Sequence, residues 1–421
     1  MKDRSSELFE RALKVTPGGV SSPVRAFRPN PLFIESANGS KIRDADGNEY
    51  IDYCMAYGPM VAGHACEDVI NAVKSYLDRG TLFGAPSEPE LQLIELISSR
   101  VPSAEMVRLA CSGAEATMHA IRVARGFTGR DGIVKMNGGY HGAHDSVMAE
   151  RGEGYRSRPS SEGVPKDAVK NTFIAEYNDI EGLTEVIDAE KPACVIMEPV
   201  MGNIGVVPPE KGYLQEVRKI TKEAGTVLIF DEVITGFRLT SGGAQELYGV
   251  TPDMTTCAKV MGGGLSGSAL MGKREIMEKI APPGKVYVAG TYAGNPISAV
   301  AGMAQINYMS KGIRYTELNG RSDALRKSLS DLLEDSKVKG CVNGVGSMMT
   351  VYFGIESVTN GSDASKTDRD MFNRMFKHML DKGIYLAPSA LEDWFVSAAH
   401  SSEDITATVE AFGSFLKGAV R

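Results

Sequence analysis

Apolar and polar positions follow three different rhythms along this chain. Near the start, Leu8, Phe9, Ala12 and Leu13 recur at helical spacing behind Ser5 and Ser6, and "TPGG" at Thr16–Gly19 closes the run. That pattern predicts a short capped helix. The dipeptides Asn38-Gly39 and Asp46-Gly47 then separate short alternating segments, which predicts a small antiparallel meander. From about residue 90 to 270 the rhythm changes to brief, wholly apolar runs, "MVRLA", "GIVKM", "ACVIM" and "TVLIF", each followed by a longer helical stretch. Strands apolar on both faces and spaced by helices imply a mainly parallel sheet buried between helical layers.

Beyond about residue 310 the pattern is α+β. Met371, Phe372, Met375, Phe376 and Met379 form one helical stripe, and Ile405, Val409, Phe412 and Leu416 form another behind Ser401 and Ser402. Both read as core. The polar stretch "VTNGSDASK" from Val358 to Lys366 reads as a mobile surface loop. The expected organisation is an N-terminal helix and meander over 1–55, a large domain over 56–305 and a smaller C-terminal domain over 306–421.

Composition narrows the function classes. The chain has 421 residues with 43% hydrophobic and 24% charged positions, ordinary for a globular protein, and no apolar run approaches the ~18 residues of a membrane span. A net charge of -7 with interspersed signs and no basic stripe argues against nucleic acid and for a small-molecule ligand. Six scattered cysteines without a C-x-x-C pair point to a reducing compartment, the cytoplasm. The opening residues carry acids among bases and lack the apolar core of a targeting segment.

In a parallel sheet, ligands sit at the carboxyl ends of the strands, so the residues just past each apolar run matter most. After "MVRLA" come Ser112, Gly113 and Ala114 at the start of a helix. Free N–H groups there suit a phosphate, and a tight turn capped by Ser112 is the bland alternative. After "GIVKM", Tyr140 follows two glycines and can stack on a flat ligand. His141 and His144 lack acidic or thiol partners at ligand spacing and read as structural, so no metal is expected. After "TVLIF", Asp231 and Glu232 either cap the next helix or, for Asp231, face a cationic ring nitrogen. Lys259, one helix and one strand further on, is either a solvated lysine on a turn or a nucleophile for a carbonyl ligand, with the following glycines letting backbone pass under it.

The stretches "SGAEA", "YHG", "FDEVITGFR", "AKVMGGG" and "GTYAGNP" together resemble the class III pyridoxal-phosphate aminotransferases. The stretches "GGVSSPVRAF", "FGAPSEPE", "GNIGVVPPEKGYL" and "YLAPSALEDWF" extend the likeness along nearly the whole chain, toward the branch that moves an amino group within one amino-aldehyde carboxylate. The resemblance implies a fold-type I α/β transferase: a large domain with a mainly parallel sheet between helices, and a smaller α+β domain built from the C-terminus and the N-terminal segment. It also implies pyridoxal 5'-phosphate and its pyridoxamine phosphate form as cofactor, and a homodimer with shared active sites. The alternative activity within the fold is an ω- or β-amino-acid aminotransferase using a separate keto acid.

By the same resemblance, Lys259 would carry the covalent bond to the cofactor and shuttle protons, and Asp231 would pair with the ring nitrogen. Tyr140 would stack on the ring, with Asn203 near its hydroxyl and Glu198 supporting the site. Ser112, Gly113, Ala114 and a partner-derived Thr291 would hold the phosphate. Ser22 and Arg25 would take the substrate carboxylate and Glu392 the amine. Tyr57, where the family favours Trp, and Glu153, where it favours Ser, depart from the pattern at positions touching substrate fit, as does Tyr292 at the entrance. A lid is expected over Gly152–Gly163.

Overall fold

In the computed structural model, which describes residues 3–419, the first helix runs over Arg4–Ala12. Its cap is Asp3, which accepts from the Ser6 amide at 2.7 Å, so Ser5 and Ser6 sit inside the first turn rather than ahead of it. The two turn dipeptides close an antiparallel meander of β1 (Ile34–Asn38), β2 (Lys41–Asp44) and β3 (Glu49–Asp52). Asp44 gathers the second turn by accepting from the amides of Asp46 and Asn48 and from the Tyr50 hydroxyl.

The apolar runs become β4 (Met106–Ala110), β5 (Ile133–Met136), β8 (Thr172–Ala175), β9 (Cys194–Met197), β10 (Val227–Asp231), β11 (Met254–Cys257) and β12 (Ser268–Gly272), with a hairpin of β6 (Ala149–Arg151) and β7 (Ser157–Pro159) between β5 and β8. Seven of them form one sheet in the order β4-β12-β11-β10-β9-β5-β8. Only β12 runs against its neighbours. Strands β5, β8, β9, β10, β11 and β12 are buried at every residue, the state that a continuous apolar run demands. The helix Gly113–Thr128 seals one face: Ala120, Ile121 and Ala124 pack with Ile133, Ile196, Ile229 and Leu270. The chain moves outward from β5 to β8, returns to β9 and proceeds the other way through β10 and β11. This reversal between β5 and β9 opens a crevice at the strands' carboxyl ends.

C-terminal residues supply β13 (Gly340–Val345), β14 (Met348–Phe353), β15 (Ile384–Tyr385) and β16 (Trp394–Phe395). β13, β14 and β16 form an antiparallel sheet, while β15 joins the N-terminal meander beside β3 in parallel. The chain thus divides into two compact units. One holds the residues through Cys66, Thr316–Val358 and those from Lys366; the other holds Glu67–Tyr315 and Thr359–Ser365. The boundaries at 66 and 315 differ from those expected at 55 and 305, and the N-terminal segment is part of the same unit as the C-terminal residues.

Two further expectations are corrected. The stretch Val358–Lys366 is not a loose loop: Asn360 caps a helix Gly361–Ala364 whose Gly361 and Ala364 are buried, and Ser362 donates to Glu176 at 2.7 Å. In the last helix, Ser402–Ala419, the buried seam includes Asp404 and Thr408 in place of Ile405 and Val409. Ser40 Oγ donates to Asp404 at 2.7 Å, and the hydroxyls of Thr408 and Tyr53 bond at 2.9 Å, so paired polar groups turn the helix by one position.

Candidate active site

The carboxyl ends of β4, β5, β9, β10 and β11 wall a cavity of about 300 Å³. Ser112, Gly113, Ala114, Tyr140, Glu198, Asn203, Asp231 and Lys259 all line it. Ser112 and Lys259, 147 positions apart in sequence, are brought to one cavity because parallel strands end at one edge of the sheet.

Asp231 ends β10 and is buried. One oxygen, Oδ1, accepts from the Val233 amide and the Thr256 hydroxyl, both at 3.1 Å. The other, Oδ2, lies 2.7 Å from His141 Nδ1. The two acids of the "DE" pair therefore part company. Glu232 turns away from the cavity and caps the helix Gly243–Tyr248, accepting from the amides of Ala244 and Gln245, from Gln245 Nε2 and from Thr235. Burial raises its carboxyl pKa, and those four donors oppose the shift.

Tyr140 and His141 follow β5 across the crevice. Glu198, after β9, binds the Tyr140 amide through Oε1 at 3.1 Å and the Gly202 amide through Oε2 at 2.8 Å, which ties the two sides of the reversal together. Burial raises the Glu198 pKa, with His141 and the Asn203 side chain acting against the rise. Tyr140 leaves its ring 50% exposed at the cavity, the presentation a stacking face requires.

At the start of the helix Gly113–Thr128, Ser112 caps by accepting from the Glu115 amide at 3.2 Å. The bland and functional readings coexist, since the cap leaves the first N–H groups of Gly113 and Ala114 facing the cavity. Gly142 is required here: its φ is +95° and a Cβ would sit 2.5 Å from Ala114 Cα.

Lys259 stands two residues past β11 with φ +47°, a left-handed conformation rare for a side-chain-bearing residue. Strain of this kind collects at functional positions. Of the glycines behind it, Gly263, at φ +61°, lies against the Ala301 backbone of the helix Pro296–Met309 and serves close helix packing, while Gly267 lines the cavity.

The donor set fits pyridoxal phosphate. The helix start offers N–H groups to a phosphate, Asp231 offers a carboxylate held on both oxygens, Tyr140 offers a ring face and Lys259 an amine. His141 Nε2, buried on the cavity wall, has no hydrogen-bond partner among the described residues.

The remaining expected residues lie elsewhere. Thr291 and Tyr292 occupy an exposed turn before the helix Pro296–Met309, outside the wall of this cavity. Glu153 is exposed at the tip of the β6–β7 hairpin. The stretch expected as a lid contains this hairpin, whose tip is joined to β8 where the Tyr155 carbonyl accepts from the Ile174 amide at 2.8 Å. Arg25, Tyr57 and Glu392 belong to the other unit, where Arg25 and Tyr57 line a separate cavity of about 440 Å³ and both Arg25 and Glu392 act electrostatically on Tyr57. Ser22 begins the turn Pro23–Arg25. Sequence reasoning missed His141 as the partner of Asp231; its signal was adjacency to Tyr140 at a strand end.

The family model described as aminotransferase class-III matches residues 24–412. The chain is 50% identical over 416 residues to the glutamate-1-semialdehyde 2,1-aminomutase of Archaeoglobus fulgidus, covering 98% of this chain and 99% of that one. Among solved structures, an omega-transaminase from Sphaerobacter thermophilus aligns with TM-score 0.93 at 33% identity over 100% of this chain and 98% of that one. A transaminase with PLP bound aligns with TM-score 0.90 at 29% identity, covering 99% and 98%.

Proposed function

Because the chain belongs to the class-III aminotransferases, with pyridoxal phosphate as cofactor, we propose that it is a glutamate-1-semialdehyde 2,1-aminomutase. The reaction moves the amino group of the semialdehyde from C2 to C1 and yields 5-aminolevulinate, the precursor of tetrapyrroles. The observation that carries the substrate assignment is identity of 50% to an aminomutase along 98% of the chain, against 33% to the omega-transaminase.

When bound, the cofactor supplies an aldehyde that takes up amines and a ring that accepts the electrons released at the neighbouring carbon. Lys259 would hold that aldehyde through Nζ and, when free, would carry protons at the same atom. Asp231, oriented by His141, Thr256 and the Val233 amide, would face the ring nitrogen and favour its protonated form. Tyr140 would cover one face of the ring, and Asn203 would stand beside its hydroxyl. Gly113 and Ala114 would present N–H groups to the phosphate with Ser112 beside them, and in a homodimer the partner subunit's Thr291 would complete that site. Ser22 and Arg25 receive the substrate carboxylate, Arg25 as a two-pronged donor. Glu392 meets the amine, and Tyr57 and Glu153 shape the entrance. Among the described residues no helix is long and apolar enough to cross a membrane. The scattered free cysteines support a reducing compartment, the cytoplasm, as the place of the reaction.

The test is turnover of glutamate-1-semialdehyde by the purified holoenzyme with no other amino donor or acceptor present. Formation of 5-aminolevulinate is expected. A strict requirement for an added keto acid would assign the chain to the transaminases instead.

A further inference from the structure

Beside Arg25 the chain makes a turn that L-residues avoid. Met55, Ala56 and Tyr57 have φ of 44°, 55° and 65°, and Gly58 follows at 113°. Each such residue is sterically disfavoured, and three in succession persist only where their surroundings hold them. The holder is Asp52. Its Oδ1 accepts from the amides of Cys54 at 2.8 Å and Met55 at 3.0 Å, fixing the entry to the turn. Its Oδ2 lies 2.7 Å from His64 Nε2. Both side chains are largely shielded, at 3% and 14% exposure, which strengthens the pair. His64 is itself pinned, because its amide and carbonyl bond the Gly39 carbonyl and amide at 2.8 and 2.9 Å beside the end of β1.

The turn carries Tyr57, whose hydroxyl donates to the Val24 carbonyl inside the turn Pro23–Arg25. A continuous path of contacts therefore runs from His64 through Asp52, the left-handed turn and Tyr57 to the backbone that presents Arg25. Arg25, Asp52, Tyr57, His64 and Tyr385 all line the same cavity. We propose that Asp52 and His64 are positioning residues that fix Arg25 for the substrate carboxylate. This rests on the reading that Arg25 receives that carboxylate. Neither residue touches the reacting carbons; the pair acts on KM through Tyr57 and Arg25.

The experiment measures KM and kcat for the semialdehyde with holoenzyme carrying His64→Ala, His64→Gln, Arg25→Ala and the double substitution His64→Ala/Arg25→Ala. Misplacing a binding group by a fraction of an ångström predicts a KM increase of roughly three- to tenfold for His64→Ala, with kcat and the bound-cofactor absorption within about twofold of wild type. His64→Gln, which keeps a donor toward Asp52, restores KM. The double variant shows the KM of Arg25→Ala alone. An unchanged KM in His64→Ala beside a raised KM in Arg25→Ala overturns the inference. So does a His64→Ala effect that persists in full without Arg25, since the histidine then acts by another route. If Arg25→Ala itself leaves KM unchanged, it is the carboxylate reading that falls. Should His64→Ala fail to fold, Tyr57→Phe removes only the hydroxyl at the Val24 carbonyl, and the same increase and the same non-additivity with Arg25→Ala are required of it.

Discussion

Asp231 is gripped at both oxygens, and of its three partners only His141 is a side chain that also faces the cavity. Losing a hydrogen bond to a charged group costs ~1.5–3 kcal/mol, so His141→Leu should lower kcat by roughly ten- to a hundredfold. His141→Asn, which keeps a donor near the Nδ1 position, should retain most of the activity. Steady-state kinetics of the two variants checks this, and equal losses in both would mean that the ring serves only to fill space. Lys259→Ala has a simpler expectation. Turnover disappears while the far-ultraviolet circular dichroism spectrum is unchanged, because a residue already strained at φ +47° contributes chemistry rather than stability. Lys259, Asp231, Tyr140 and the turn at Ser112 were legible from sequence, because each directly follows an apolar run that could only be a buried strand. The role of His141 was not, since it depends on how far apart β5 and β10 lie in the sheet, and with β9 between them no local pattern encodes that spacing.

At the level of elements, the sheet was legible from its apolar runs, and its order was not. Strand β12, inserted against the grain between β4 and β11, and β15, joined to β3 from more than 300 residues away, are set by long-range pairing that leaves no local trace. Strand β5 also departs from a purely apolar run by burying Lys135, whose Nζ donates to the carbonyls of Val147 at 3.2 Å and Ala149 at 3.4 Å. Burial pushes the ammonium pKa down to about 8, only partly offset by Glu198. The folded pKa is below the unfolded one, so between about 8 and the ordinary value of 10.5 the unfolded chain binds more protons and this group's contribution to stability rises with pH. Below that window the buried charge is a constant burden. The wild type should gain roughly 2 kcal/mol relative to Lys135→Met between pH 7 and 9.5. Denaturant unfolding of both proteins at the two pH values checks it. A stability difference independent of pH would show that Lys135 does not lose its proton in that range.

At the scale of the whole molecule, the position of Thr291 poses the sharpest question. The residue lies on an exposed turn and not on the wall of its own chain's cavity, and Tyr292 beside it is 64% exposed. Leu77 and Leu265, with 45% and 43% exposure, join Tyr292 around a second hollow beside Cys111 and Ser266, residues that also line the candidate active site. Apolar side chains of this size left open beside the candidate active site form the kind of patch that a second chain can cover. If a second copy covers it, each active site takes Lys259 from one chain and Thr291 from the other. Two inactive variants should then complement each other. Lys259→Ala removes the amine, and Thr291→Asp sets a negative charge against the phosphate. In a mixed dimer, one site combines both lesions and is dead, whereas the other combines an intact Lys259 with an intact Thr291. Random reassortment makes half the dimers mixed, each with one working site of two, so activity should return to about a quarter of wild type after the variants are unfolded and refolded together. If Thr291 served its own chain, every site in every dimer would contain one lesion and no activity would return. Refolding the two variants separately and then mixing them controls for any residual activity of either.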